Sequence, residues 1–283
     1  MRRAAILALA LIGSGSGAQA QEQCHTGEHF SYSQTDGTGP DCWAKLTPAY
    51  RECGGNQQSP INLTGAGRAF GSRGPVADTT IVAGAGSTNA VVYLNYLHNG
   101  HALSIDATEA RISFGPPGDT STYDLYDVHF HAPSEHTIDG KRFPLEVHFV
   151  HKPGSEPTKY HRVVIATLIE EGASNPVLSI LAKNVKEYLP RSPADRVSDR
   201  AWYNALFLDA LKPGSQFTGT YSYDGSLTTP PCTQRVAWRV NSKPITATKQ
   251  EIEAIVNTTT GTNNRPLQNL NGRIVDYVRA YRE

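Results

Sequence analysis

The chain has 283 residues, 39% of them hydrophobic, and 26 basic residues balance 26 acidic ones for a formal charge of zero. That balance excludes the strongly basic surface with which a protein grips nucleic acid or an anionic membrane. The length allows one large domain or two, and no linker, internal repeat or low-complexity run divides it.

The chain opens MRRAAILALALIGSGSGAQAQ. Arg2 and Arg3 form a charged start, Ala4 to Ile12 an apolar run and Ala18-Gln19-Ala20 a small-residue cleavage site, which is the pattern of a secretory signal peptide over 1–20. The apolar run falls well short of the roughly 20 residues that span a bilayer. Export is therefore expected, with residues 21–283 as the mature domain in the periplasm or outside the cell. In such a chain Cys24, Cys42, Cys53 and Cys232 are expected to form two disulfides, with three connectivities open. None lies in a CxxC pair, which speaks against a cysteine-ligated zinc.

Beyond the cysteine-bearing loops, β-branched and aromatic runs alternate with Gly, Pro and Asn clusters. In chain order they are VVYLNYLHNG from 91, HALSID from 101, ARISFGPPG from 110, STYDLYDVHFHA from 121, LEVHFVH from 145 and RVVIATLIEEG from 162. This is the rhythm of strands and turns. Helical patterning is confined to two places. NPVLSILAKNVKEYL has Asn175 as an N-cap and Pro176 in the first turn, and TKQEIEAIVN has Thr248 and Glu251 at capping-box spacing. The expected fold is mainly β, a single domain with a few short peripheral helices.

If DVHFHA is a strand, His129 and His131 share one face, and in LEVHFVH the same parity groups Glu146, His148 and Val150. Two adjacent strands then present three imidazoles to one ion, and three neutral nitrogens with an open fourth position are the catalytic zinc pattern. Glu146, two residues from His148, is placed to hold that ring's tautomer. An HxH pair alone is equally the polar face of a solvated strand, and periodicity also leaves His136, His151 and His161 open. The stretch DGSLTTPPCTQRVAW adds two hydroxyls, Thr228 and Thr229, on a proline-stiffened segment.

QSPI at 58, NGHA at 99, HFHAPSEHTIDGKRFPLEVHFVH at 129, GSLTTPPC at 225 and NNRPLQ at 263 follow one another in an order and spacing that resemble the α-class carbonic anhydrases, particularly exported bacterial members. The resemblance implies a central, mostly antiparallel ten-stranded twisted sheet and a Zn²⁺ held by His129, His131 and His148. It implies that Thr228 accepts a hydrogen bond from zinc hydroxide and donates one to Glu135. Thr229 would lie beside bicarbonate, and Val150, Val164, Leu227 and Trp238 would form the apolar wall for CO₂. His101 matches the proton shuttle, Tyr32 matches a hydroxyl that orders the water chain, and His136 falls to a structural role. Anions and sulfonamides are the implied inhibitors, and a homodimer is a common state of such relatives. The alternative is a catalytically silent binding protein on the same fold; such relatives lose zinc histidines, and none is missing here.

Three positions depart from the family pattern: Asp127 stands where Gln is common, Phe30 where Trp is usual and Gln234 where Glu is usual. A carboxylate at Asp127 would reach the far nitrogen of His129. The resemblance also implies a Cys53 to Cys232 bridge, which leaves Cys24 and Cys42 to each other or to a second chain.

Overall fold

The computed structural model describes residues 24–64, 94–98, 103–105, 111–113, 121–154, 159–188, 197–199, 219–258 and 261–278. The signal segment 1–20 and His101 lie outside them. In chain order the elements are α1 (Trp43–Leu46), a 3-10 helix (Pro48–Gly54), β1 (Asn62–Leu63), β2 (Leu94–His98), β3 (Leu103–Ile105), β4 (Arg111–Ser113) and β5 (Thr122–His131). Next come β6 (Thr137–Ile138), β7 (Leu145–Pro153), β8 (Arg162–Glu171), α2 (Pro176–Tyr188) and β9 (Val197–Asp199). The chain continues with β10 (Thr220–Ser226), β11 (Gln234–Asn241), β12 (Ile245–Ala247), α3 (Lys249–Val256) and β13 (Asp276–Val278).

Every β run expected between 91 and 171 contains a strand. The long runs at β5, β7 and β8 pair antiparallel in the middle of a sheet ordered β13-β10-β11-β8-β7-β5-β3-β2-β9, with β12 joined to β8 and β4 to β5. That makes eleven strands among the described residues, one more than the resemblance implies. Short segments such as the three-residue β12, which runs parallel to the far end of β8, account for the difference. The sheet is mostly antiparallel, with β11 and β12 parallel to β8. The sequence reading missed β10 and β11, where Gly, Asp, Arg and Gln interrupt the apolar alternation. It also missed the two-residue β1 and β6, which pair apart from the main sheet.

Alternation divides the sheet into two faces. Leu145, Val147 and Phe149 of β7, with Val163, Ile165 and Ile169 of β8, point into a core closed by Val177, Leu178 and Leu181 of α2 and by Ile252 and Ile255 of α3. Both helices start as their caps dictate. The Asn175 side chain accepts from the N–H groups of Val177 and Leu178, and Thr248 and Glu251 form a reciprocal capping box. The opposite face carries Val150, Val164, Val236, Trp238 and Val240.

One irregularity decides what β5 presents. Its register to β7 slips between Leu125 and Asp127, leaving Tyr126 as an extra, exposed residue. Before the bulge the odd-numbered Tyr123 and Leu125 enter the helix-side core; after it the even-numbered Val128 and Phe130 do so. The bulge therefore turns Asp127, His129 and His131 to the other face, which a continuous strand would not.

Candidate metal centre

His129 and His131 of β5 stand beside His148 of β7, with His129 and His148 directly paired across the ladder. The ring centroids are 5.0, 5.2 and 4.7 Å apart, and one nitrogen from each ring lies within 4.8 Å of the other two. Each ring is turned by a partner on its far side. His129 Nδ1 lies 2.5 Å from Asp127 Oδ2, His131 Nδ1 donates to the Asn263 carbonyl at 2.7 Å, and His148 Nε2 donates to Glu146 Oε1 at 2.7 Å. The inward nitrogens are thus Nε2, Nε2 and Nδ1. His131 Nε2 is buried with no hydrogen-bond partner. A buried, unsatisfied ring acceptor is costly in an apolar interior and is what a metal ligand looks like before its ion.

The protonation preferences suit ligands. Burial, reinforced by His148 and His129, holds His131 well below the ordinary histidine value. Burial lowers His148 to about 4 against the opposing pull of Glu146. Both rings are neutral at neutral pH, the state a metal requires. Burial alone would raise Glu146, yet His136 and His148 beside it hold it well below the usual carboxylate range.

Glu146 is the hub of the far side. Its Oε2 accepts the backbone N–H groups of Glu135 and His136 at 2.8 and 2.7 Å, and its Oε1 takes His136 Nδ1 at 2.6 Å as well as His148. His136 Nε2 continues to the Tyr223 hydroxyl at 2.7 Å. His136 thus has a partner at both ring nitrogens, Glu146 and Tyr223.

On the near side, the Glu135 carboxyl accepts the Arg265 backbone N–H at Oε1 at 2.8 Å, its Oε2 is buried without a hydrogen bond, and the Thr228 side chain lies close by. Burial, and then the charge of Glu146, pushes Glu135 well above the usual carboxylate range, while Arg265 and Thr228 pull it down. Val150, Val164, Leu227 and Trp238 pack in one cluster on this face, and Thr229 follows Thr228 before the prolines. Tyr32 packs against Trp43 and lies within electrostatic range of Glu135 and Arg265.

Two contributors escaped the residue-by-residue reading. The first is Asn263, whose carbonyl orients His131 and whose side chain spans Ala132 N–H and the Phe130 carbonyl. The second is Arg265, only 2% exposed, whose guanidinium donates to Gln58, Ser59 and the Cys53 carbonyl. Both sit in NNRPLQ, a stretch with no secondary-structure period, and only the motif pointed to it.

The eukaryotic-type carbonic anhydrase family model matches residues 38–279. The chain belongs to the α-carbonic anhydrase family. It is 34% identical over 249 residues to a carbonic anhydrase of Pectobacterium atrosepticum, an alignment covering 87% of this chain and 90% of that protein. It superposes on the α-carbonic anhydrase of Thermovibrio ammonificans, solved with the inhibitor sulfanilamide, with a TM-score of 0.70 at 31% identity, covering 88% of this chain and 99% of that one. Dioscorin, solved with ascorbate, superposes with a TM-score of 0.72 at 28% identity, covering 90% and 100%. The chain carries the Cys53–Cys232 bridge that the resemblance implies, and of the two alternatives left for the other cysteines it shows the bridge Cys24–Cys42 within one chain. No helix among the described residues is long and apolar enough to cross a membrane.

Proposed function

We propose that this protein is an exported zinc enzyme that interconverts CO₂ and bicarbonate. The observation that carries the reading is the set of three imidazoles whose inward nitrogens converge while their outward nitrogens are occupied, with His131 Nε2 buried and without a hydrogen bond. His129, His131 and His148 would hold Zn²⁺ through their three neutral nitrogens. Bound there, zinc supplies a hydroxide nucleophile at neutral pH by lowering the pKa of water to about 7, a value for which carbonic anhydrase is itself the standard example.

The protein's own groups do the rest. The Thr228 side chain lies beside Glu135, and a hydroxyl that gives its proton to that carboxyl would turn only its lone pairs to the nucleophile and orient the attacking oxygen. Val150, Val164, Leu227 and Trp238 give neutral, apolar CO₂ a dry wall, and Thr229 flanks the bicarbonate product. His101, a residue type that can both take up and release a proton near neutral pH, would carry the released proton outward along water ordered by Tyr32. Anions and sulfonamides, the latter seen in the Thermovibrio relative, would compete at the open position. The silent-module reading requires a lost ligand, and all three are present. The test is stopped-flow CO₂ hydration with metal analysis, with and without a chelator. Zinc-dependent hydration is expected, and a zinc-loaded chain without it would refute the assignment.

A further inference from the structure

Two disulfides flank the buried Trp43, and they differ in access. Cys53 and Cys232 are 7% and 0% exposed. Cys42 is 8% exposed, so the difference rests on Cys24, which is half-buried, and their bridge borders a surface hollow of ≈ 260 Å³ rimmed by Ser33, Gln34, Asp41 and Lys45. Access governs which disulfide a thiolate reaches first, and on the rim the Lys45 ammonium offsets the Asp41 carboxylate.

The accessible bridge ties down a particular arm. It closes residues 24–42 into a loop, and the backbone bonds that otherwise fasten the arm include Gly27 N–H to the Leu46 carbonyl at 2.8 Å and Ser31 N–H to the Thr38 carbonyl at 3.0 Å. The loop folds over itself so closely at Gly39 that a Cβ there would stand 1.6 Å from the Ser33 carbonyl oxygen. Phe30 and Tyr32 ride on it, each meeting the Trp43 ring edge-on with centroids 5.5 Å apart. The Trp43 indole donates to the Ser31 carbonyl at 3.0 Å, and the Arg265 guanidinium lies over its ring at 5.3 Å. The backbone N–H of Arg265, not its guanidinium, in turn donates to Glu135. The path from the bridge to the site is therefore a run of direct contacts.

We propose that the Cys24–Cys42 disulfide is a selectively reducible clamp that positions the Tyr32 arm, so that a dithiol reductant slows proton export from the site while the three histidines keep their places. The kinetic part rests on the carbonic anhydrase reading above. In the reduction, a reductant thiolate attacks one sulfur to give a mixed disulfide, and its second thiol displaces the protein. Two electrons and two protons pass from the dithiol, which leaves as its own disulfide, and Cys24 and Cys42 become thiols. Without the cross-link the arm's entropy is no longer limited, and its few backbone bonds allow local opening.

Graded dithiothreitol followed by iodoacetamide and peptide mass spectrometry on the zinc-loaded chain should label Cys24 and Cys42 before Cys53 and Cys232. In that state deuterium uptake over residues 25–38 should rise with zinc content unchanged. At low buffer kcat should fall at least about threefold, short of the roughly 100-fold that gross misplacement of a catalytic group can cost. The value of kcat/KM should stay within a factor of about two, and imidazole buffer should restore kcat by carrying the proton itself. In Tyr32→Phe the drop on reduction should vanish, because arm and hydroxyl act as one unit. The doubly substituted C24S/C42S chain should reproduce the reduced state. Labelling of Cys53 or Cys232 first, unchanged exchange over 25–38 after Cys24 and Cys42 react, or an undiminished drop in Tyr32→Phe would each overturn the proposal. An oxidised, zinc-loaded chain that hydrates no CO₂ sinks the catalytic reading instead, and the exchange experiment then decides the clamp.

Discussion

Glu146 Oε1 stands 2.7 Å from His148 Nε2 and 2.6 Å from His136 Nδ1, so one carboxylate oxygen fixes two buried imidazoles. An amide in its place could still accept from both rings with its oxygen. Its NH₂ would then face the N–H groups of Glu135 and His136, donor against donor. Glu146→Gln is expected to loosen zinc by roughly 10–100-fold, the usual cost of losing a ligand's orienting partner. Competition with a chromophoric chelator measures this directly, and unchanged affinity would mean that the His148 orientation is held by packing alone.

Stability of the chain stripped of metal should fall as the pH drops from about 6.5 to about 4. The sign follows from His148, whose folded value is lowered to about 4, and from His131, which is lowered too. Between those limits the unfolded chain binds protons on both residues and the folded chain does not, so acid favours unfolding. For His148 alone the loss is on the order of 3 kcal/mol. Glu135 works the other way: its raised value lets the folded chain hold a proton that the unfolded chain has lost, which offsets part of the fall. Thermal melts of chelator-treated protein across this range test the balance. Glu135→Gln should make the decline steeper, since it removes the opposing group.

Asp127 lies 2.5 Å from His129 Nδ1 with 23% of its side chain exposed. Its charge makes the ligand more basic than an amide would and makes the ion a weaker acid catalyst. Asp127→Gln should therefore move the midpoint of the pH–rate profile downward. The expected size is about one unit or less, from Coulomb attraction at an effective dielectric between roughly 20 and 80. An upward shift or a superimposable profile would contradict the account.

How much of this arrangement was legible depended on sequence distance. Strand parity found His129, His131, His148 and Glu146 because period-two alternation is local, and the caps at Asn175 and Thr248 were read the same way. Parity holds within DVHFHA but does not extend back through STYDLY, because nothing in the letters marks Tyr126 as a bulge. The contacts that orient His131 and Glu135 come from Asn263 and Arg265, some 130 residues away, and no local pattern carries such pairings. There the family motif supplied what periodicity could not. The parallel alignment of β11 with β8 was invisible for the same reason.

Thr228→Val keeps the shape of the side chain and removes its hydroxyl. On the proposed mechanism the loss has two consequences at one place: the proton that Thr228 would offer Glu135 is gone, and so are the lone pairs that would orient the nucleophile. Since all three histidines keep their partners, zinc content should be unchanged. Since the apolar cluster of Val150, Val164, Leu227 and Trp238 gains a methyl and loses nothing, CO₂ should still be accommodated. The expected outcome is a drop in kcat/KM of about 100-fold, the scale on which one preorganised hydrogen-bonding group contributes to a transition state. Thr228→Ser retains the hydroxyl and should recover most of that loss. If both variants lost activity equally, packing around the Thr228 methyl would be the contribution that matters, and the Glu135 pairing would be only structural.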